Sequence, residues 1–263
     1  MSESRRPRCI AIANQKGGVG KTTTAINLGA ALAAEGQRVL IIDLDPQGNA
    51  STGLGIDADQ RNFTTYDLLI EGMALREIVL PTSVDRLWIA PSTTDLSSAD
   101  VELVANENRV FLLKDALSPA VMGGFDIVLM DCPPSLNLLT VNAMVAADAV
   151  LVPLQSEFFA LEGLSQLMLT IREVRQSANP KLRIEGVVLT MYDGRNNLCR
   201  QVEDDARENL GNLVYSTRIP RNVRLSEAPS YAMPILQYDP TSKGSEAYMD
   251  LAREVLNRQM QQA

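Results

Sequence analysis

The feature that most constrains the fold of this chain is a series of short apolar runs that do not alternate with polar residues. Each run is four to eight residues long and rich in Val, Ile and Leu. Runs of this kind are typical of strands buried on both faces, as in a parallel sheet between two helix layers. The runs are Cys9–Ala13, Val39–Asp43, Leu87–Ala90, Phe125–Asp131, Ala149–Pro153 and Ile184–Thr190.

Helical spacing fills several of the intervals between these runs. The predicted helices are Thr22–Glu35, Leu161–Gln176, Gln201–Leu210 and Ser245–Met260, and Gly36 is well suited to end the first of them. Strand and helix alternate without an internal repeat or a linker rich in Gly, Pro or Ser. We therefore predict a single α/β domain over residues 1–263, with a doubly wound, mostly parallel sheet and helices on both faces.

Composition excludes several classes of site. The 263 residues include no histidine and only three, scattered cysteines, Cys9, Cys132 and Cys199. Neither a disulfide framework nor a zinc site is expected, which favours a reducing cytoplasm, and no apolar run is long enough to span a bilayer. The net charge of -8 argues against a broadly positive surface, although a local basic patch is compatible with phosphate binding.

A glycine-rich loop joins the first predicted strand to the first predicted helix. Residues 14–23 read Asn-Gln-Lys-Gly-Gly-Val-Gly-Lys-Thr-Thr, which is a phosphate-binding loop in the strand–loop–helix context that it requires. The usual motif begins with Gly where this chain has Gln15. Glycines let backbone N–H groups turn towards phosphate oxygens, Lys21 is expected to reach the β- and γ-phosphates, and Thr22 to ligate Mg²⁺. The expected nucleotide contacts are Gly17, Gly18, Val19, Gly20, Lys21, Thr22 and Thr23.

Two carboxylates, Asp43 and Asp45, stand at the end of the second predicted strand. Period two places them on one side of the chain, at the edge where α/β sheets bind ligands. With no histidine to act as a base, Asp45 is the best candidate to orient the attacking water, and Asp43 is expected to support it. Both acids could instead do no more than end the strand.

Another acid, Asp131, ends the apolar run Phe125–Asp131 and fits a Walker B motif. We predict that Asp131 holds Mg²⁺ through a water, completing the metal site begun by Thr22. Cys132 follows directly, but one thiolate per subunit is too few for a four-cysteine iron–sulfur cluster, even one shared by two subunits.

The loop contains a second lysine, Lys16, which is not needed to hold phosphate within one subunit. By itself it could be a solvated side chain. Together with its neighbours it resembles the signature lysine of the deviant Walker A ATPases, a family that includes ParA, MinD and the nitrogenase iron protein. The resemblance implies that Lys16 crosses a dimer interface to touch the partner's nucleotide, in an ATP-sandwiched homodimer. It also implies a water-positioning role for Asp45.

Further matches extend this resemblance over almost the whole chain, in residues 45–51, 131–135, 157–164 and 219–229. Together they are similar to a chromosomal ParA-type partition ATPase. The last segment, by that resemblance, supplies an adenine pocket around Pro220 and Arg221. Only eight residues precede the first predicted strand, so we expect no N-terminal helix-turn-helix domain for reading an operator.

Arginines cluster in the final third of the chain, interspersed with acids. The residues alone indicate a mixed, solvated surface. The resemblance implies instead that Arg195 and Arg224 bind double-stranded DNA without sequence preference, through its phosphates.

The function implied by the resemblance is DNA segregation. An ATP-bound dimer would coat the nucleoid, and a ParB-type partner would trigger slow ATP hydrolysis and release. A membrane-positioning protein like MinD would need a basic amphipathic C-terminal tail, whereas Tyr248, Leu251 and Val255 are better explained as core and the tail beyond them is polar. A ParA-like protein that distributes a protein cluster would have the same site chemistry, so that alternative stays open.

Overall fold

One mostly parallel sheet organises the chain in its computed structural model, which describes residues 6–117, 122–157 and 160–262. Its strand order is β3-β4-β2-β5-β1-β6-β7-β8. All neighbouring strands pair in parallel except β3 with β4. The strands are β1 Arg8–Ile12, β2 Val39–Asp43, β3 Leu80–Pro81, β4 Leu87–Ala90, β5 Ile127–Asp131, β6 Ala149–Gln155, β7 Arg183–Tyr192 and β8 Val214–Pro220. The doubly wound fold predicted above is confirmed.

Helices connect the strands and cover both faces of the sheet. They are α1 Lys21–Ala34, α2 Asn49–Gly53, α3 Leu75–Ile78, α4 Ala99–Glu102, α5 Leu112–Ala116, α6 Leu138–Ala146, α7 Ala160–Ser177, α8 Asn197–Leu210, α9 Val223–Glu227, α10 Ile235–Tyr238 and α11 Lys243–Gln262. Among the helices of the described segments, none is both long and apolar enough to cross a membrane.

The central strands are buried on both faces because successive side chains point into two different cores. In β1, Ile10 and Ile12 face α1 and α11, whereas Cys9 and Ala11 face the core that includes α6 and α7. Complete burial of one Ile or Leu side chain contributes about 1.5–3 kcal/mol. These strands therefore hold the loops at their carboxyl ends in fixed positions.

The C-terminal helix α11 packs on one face of the sheet. Tyr248, Leu251 and Val255 are buried there, so the expectation that this stripe belongs to the core is confirmed. Helix α11 contacts both α1 and β8. The last helix therefore packs against α1, the helix that follows the glycine-rich loop.

Most predicted strands differ from the observed ones by one or two residues at an end. The predicted run Phe125–Asp131 begins as a strand at Ile127, and Ala149–Pro153 continues to Gln155. Strand β8 was not predicted. It lies at an edge of the sheet and is partly exposed, so it lacks the continuous apolar run by which the central strands were recognised. The helix α6 was missed as well.

Predicted helices begin or end within four residues of the observed ones. The first is Lys21–Ala34, and Gly36 after it has the left-handed φ of 89° expected of a residue that ends a helix. Phe158 and Phe159, part of one matching segment, lie outside the described residues.

Candidate nucleotide site

The glycine-rich loop lies at the carboxyl edge of the sheet, between β1 and α1. Gly18 has a φ of 73° and Gly20 a φ of 86°, which is left-handed backbone that favours glycine. No side chain caps the start of α1, so N–H groups of its first turn remain available to an anion. Thr190 at the end of β7 donates a 2.8 Å hydrogen bond to the carbonyl of Val19 and fastens the loop to the sheet.

Lys21 is the first residue of α1, and its side chain reaches back to the start of this loop. Its side-chain nitrogen donates a 2.9 Å hydrogen bond to the carbonyl oxygen of Lys16, and the residue is only 6% exposed. Burial lowers the pKa of Lys21, while the nearby carboxylates of Asp131 and Asp45 act in the opposite direction. A desolvated ammonium at the centre of a phosphate-binding loop is well placed to bind an anion.

Asp131 is the least satisfied carboxylate at the site. It is fully buried at the end of β5, and within the described segments neither of its oxygens has a hydrogen-bond partner. Burial raises its pKa well above the ordinary value, and the charge of Asp43 adds to this, whereas the nearby Thr22 hydroxyl and Lys21 oppose it. The Thr22 hydroxyl is near enough to favour the charged form of Asp131, but it does not meet the geometry of a hydrogen bond to either oxygen.

A buried carboxylate without partners fits a cation. The site suits Mg²⁺, which keeps several waters and takes few ligands from the protein, better than an all-protein metal cage. Accordingly, no group of three or more Cys, Asp or Glu side chains in the described part of the chain could hold a metal ion. Thr22 and Asp131 are the residues that would hold Mg²⁺ here, together with oxygens from water and phosphate.

Asp43 and Asp45 differ sharply in their surroundings. Asp43 is fully buried and accepts hydrogen bonds from the Ser51 hydroxyl at 2.7 Å, the Ser51 backbone at 3.0 Å and the Asp45 backbone at 3.2 Å. Burial nevertheless raises its pKa to about 6. Asp43 therefore fixes α2 to the end of β2, in agreement with a supporting role.

Asp45 lies beyond the end of β2 and is 8% exposed. One of its oxygens accepts a 3.0 Å hydrogen bond from the backbone of Gln47. Its other oxygen accepts none from the residues that the structure describes. That free acceptor leaves Asp45 able to orient a water molecule.

Lys16 forms an ion pair within its own chain, with Glu157 just after β6. Its backbone N–H donates to Asn14 at 3.0 Å, and the Asn14 amide donates to the carbonyl of Pro153 at 2.7 Å. The start of the loop is therefore attached to β6 at two points. No residue feature had indicated Glu157 as the partner of Lys16.

A cavity of about 480 Å³ adjoins the loop. Pro220 and Arg221, the residues expected around adenine, line it together with Gly20 and Thr23. Met191, which has a left-handed φ of 50°, and the buried Tyr248 also line this cavity and were not predicted. They come from β7 and α11, and no local motif marks either of them.

The two arginines expected to bind DNA are exposed and already paired with acids. Arg195 has a side chain that is 91% exposed and forms two hydrogen bonds with Asp193, at 2.8 and 2.9 Å. The Arg195 side chain lowers the pKa of Asp193 to about 2. Arg224 pairs with Glu227 at 2.9 Å and Asp239 at 3.4 Å. Any phosphate that binds these arginines must compete with carboxylates.

Comparison with known proteins connects this site to a family. A family model described as an AAA domain matches residues 7–184. The chain is 58% identical over 253 residues to the chromosome partitioning protein ParA of Caulobacter vibrioides, which covers 96% of this chain and 95% of that protein. It is 52% identical over 248 residues to the sporulation initiation inhibitor protein Soj of Bacillus subtilis, with 94% and 98% covered.

Among solved structures, a crystal structure of cobyrinic acid a,c-diamide synthase from Mycobacterium smegmatis has bound ADP and magnesium. It has a TM-score of 0.84 to this chain at 36% identity, over 98% of this chain and 97% of that one. The fold is therefore shared along almost the full length of both chains.

Proposed function

This chain belongs to the ParA and Soj family of chromosome-partitioning ATPases, and on that premise we propose that it binds ATP with Mg²⁺ and forms an ATP-sandwiched homodimer on DNA. A ParB-type centromere-binding protein would stimulate its slow ATP hydrolysis and so release the dimer. This activity would place the protein in the cytoplasm, associated with the nucleoid.

The observation that carries the proposal is the arrangement of Asp131 and Lys21 around the glycine-rich loop. The Asp131 carboxylate has no hydrogen-bond partner within the described segments, and the attraction between Asp131 and Lys21 does not offset the cost of burying either charge, because desolvation dominates the pKa shift of both groups. A nucleotide triphosphate with Mg²⁺ supplies a counter-charge to both groups at once. Bound Mg²⁺ would neutralise charge on the β- and γ-phosphates.

Different residues of the protein would bind the phosphates, bind the base, orient the water and contact the partner subunit. Backbone N–H groups from Gly17 to Thr23 and the Lys21 ammonium would bind the phosphates, and the cavity at Pro220 and Arg221 would receive the base. Asp45 would orient the attacking water through its free oxygen. Lys16 would reach the nucleotide of the partner subunit.

DNA binding is proposed for Arg195 and Arg224. Their exposure supports contact with phosphates, which requires no base readout. The net charge of -8 means that this contact must be local, and a dimer would present each arginine twice.

The experiment that tests the proposal is sedimentation of the purified protein with ATP, ADP or no nucleotide, each with and without duplex DNA of unrelated sequences. We expect a dimer with ATP alone, and DNA binding by that dimer regardless of sequence. A protein that remains monomeric with ATP, or an ATP dimer that ignores DNA at low salt, would contradict it. A ParA-like protein that distributes a protein cluster would use the same chemistry. Identifying the cargo that co-sediments with the protein from cell extracts distinguishes that function from chromosome segregation.

A further inference from the structure

The side chain of Lys16 has a partner in its own subunit. Its ammonium pairs with a Glu157 carboxylate oxygen, and the two side chains are 36% and 45% exposed. The residues lie 141 positions apart in sequence. Sheet pairing brings them together, because β1 and β6 are neighbours.

The surrounding bonds show that the fold imposes this ion pair. The Gln155 amide donates to the second oxygen of Glu157, and the Glu157 N–H donates to the Gln155 carbonyl at 2.8 Å. On the other side, Asn14 fixes the backbone of Lys16 and is itself bonded to Pro153. Both partners are therefore attached to the end of β6, and the pair does not depend on a chance orientation of a long side chain.

This ion pair conflicts with a contact between subunits. A carboxylate bonded to Lys16 would be brought close to the phosphates of the partner's nucleotide, where the like charges repel. Lys16 must consequently leave Glu157, or move it, when the sandwich forms.

We propose that Glu157 is a positioning residue that holds Lys16 within its own subunit and so opposes dimerisation until a nucleotide-bound partner displaces it. This inference rests on the role of Lys16 in the proposed function. It assigns Glu157 a regulatory effect on the dimerisation equilibrium and no part in the hydrolysis step.

The size of the effect follows from the exposure of the pair. An exposed ion pair changes an equilibrium constant by a factor of about two to five. A symmetric dimer breaks two of them, so the dimer dissociation constant should change by about fourfold to twenty-fivefold.

The test uses the full chain with the substitution Asp45→Ala, so that ATP is not consumed. In that background, Glu157→Gln removes the charge but retains a polar group of the same length. Analytical ultracentrifugation with ATP should show a dimer dissociation constant lower by about fourfold to twenty-fivefold, with the difference shrinking as salt is added. Asp250→Asn, which removes an exposed, ion-paired charge from α11, is the control and should leave the constant unchanged.

An unchanged or weaker dimer in Glu157→Gln, with ADP binding by the monomer intact, would overturn the inference. If Glu157→Gln fails to bind ADP, Glu157→Asp is measured by the same criterion, because it shortens the carboxylate and loosens the pair. Lys16→Ala in the same background separates the two proposals. Should that variant dimerise normally with ATP, the role of Lys16 between subunits fails; should it remain monomeric while Glu157→Gln has no effect, only the inference about Glu157 fails.

Discussion

Asp43 and Asp131 lie directly opposite each other at the carboxyl ends of the neighbouring parallel strands β2 and β5, yet only Asp43 has its hydrogen bonds satisfied. Ser51 and the Asp45 backbone N–H bond to Asp43, whereas Asp131 has no partner within the described segments. Two buried negative charges at adjacent positions destabilise the protein when no ligand is bound. A bound cation can offset the charge of Asp131, because the Asp131 oxygens have no other partner there.

The first prediction concerns pH and the protein without Mg²⁺ or nucleotide. Burial and the charge of Asp43 raise the pKa of Asp131, and burial raises that of Asp43 to about 6. A raised pKa means that the folded state binds the proton more tightly, so this stability is present below the unfolded pKa and is lost as pH rises through the folded pKa. Asp131→Asn should therefore raise the free energy of unfolding at pH 8 by about 1–3 kcal/mol, and the gain should shrink towards pH 5.

Urea unfolding in the presence of a chelator, from pH 5 to 8, measures this difference. Asp126→Asn is the control of opposite sign, because Arg38 holds the pKa of Asp126 below its usual range. That variant should lose stability by the same amount at every pH from 5 to 8, because a carboxyl with a lowered pKa stays charged throughout this range. An Asp131→Asn protein less stable than the parent at pH 8 would show that Asp131 has a structural partner.

The second prediction concerns nucleotide binding. Lys21→Ala should weaken ATP binding by at least about a hundredfold, because it removes charge-assisted hydrogen bonds that a buried ammonium would make to two phosphates. Equilibrium binding of a fluorescent ATP analogue measures this. Lys181→Ala, at an exposed position, is the control and should bind ATP like the parent. An unchanged ATP affinity in Lys21→Ala would show that the glycine-rich loop is not the nucleotide site.

The third prediction separates binding from hydrolysis. Asp45→Ala should retain ATP and Mg²⁺ but lose turnover, since the free carboxylate oxygen that would orient water is gone. Sedimentation with ATP should then show a persistent dimer, and a phosphate-release assay should show no hydrolysis above background. Continued turnover in this variant would assign the water-orienting role to another group.

The fourth prediction concerns DNA. Arg195→Glu, and separately Arg224→Glu, should weaken DNA binding by the ATP-bound protein and leave its dimerisation intact. For each phosphate that the variant no longer binds, the magnitude of the slope of log affinity against log salt should fall by about one. Because a dimer contains each arginine twice, the fall should be about two per dimer. Fluorescence anisotropy with a duplex at several salt concentrations measures the slope.

A matched control for the DNA prediction is Arg253→Glu, which makes the same charge change on α11, where Arg253 pairs with Glu35 and Asp250. Its salt slope should match that of the parent. Equal reductions of affinity in all three variants would mean that net charge, and not a particular surface, controls DNA binding.

The parts of the fold that could be predicted from sequence are those with a strong local signal. Strand β2 matches its prediction at both ends, because its short apolar run, rich in Ile and Val, lies between Arg38 and Asp43 and is too short for a helix. Strand β8 could not be found in this way, since an edge strand exposes one side and so carries polar residues. The glycine-rich loop was recognisable because left-handed backbone such as that of Gly18 and Gly20 strongly favours glycine, whatever the rest of the chain does.

Sequence alone determined that this chain places a phosphate-binding loop, Asp45 and Asp131 at one edge of a parallel sheet, because strand periodicity and local backbone chemistry act over a few residues. Only the tertiary structure decided which side chains meet there. Lys16 pairs with Glu157, Thr190 fastens Val19, and Tyr248 lines the cavity beside Pro220. Such contacts depend on strand order and helix packing, which bring together residues that are distant in sequence, such as Lys16 and Glu157 at 141 positions and Val19 and Thr190 at 171. The same holds for the absence of a hydrogen-bond partner at Asp131, which depends on the groups around it in space. That absence identifies Asp131 as the position where a cation would bind.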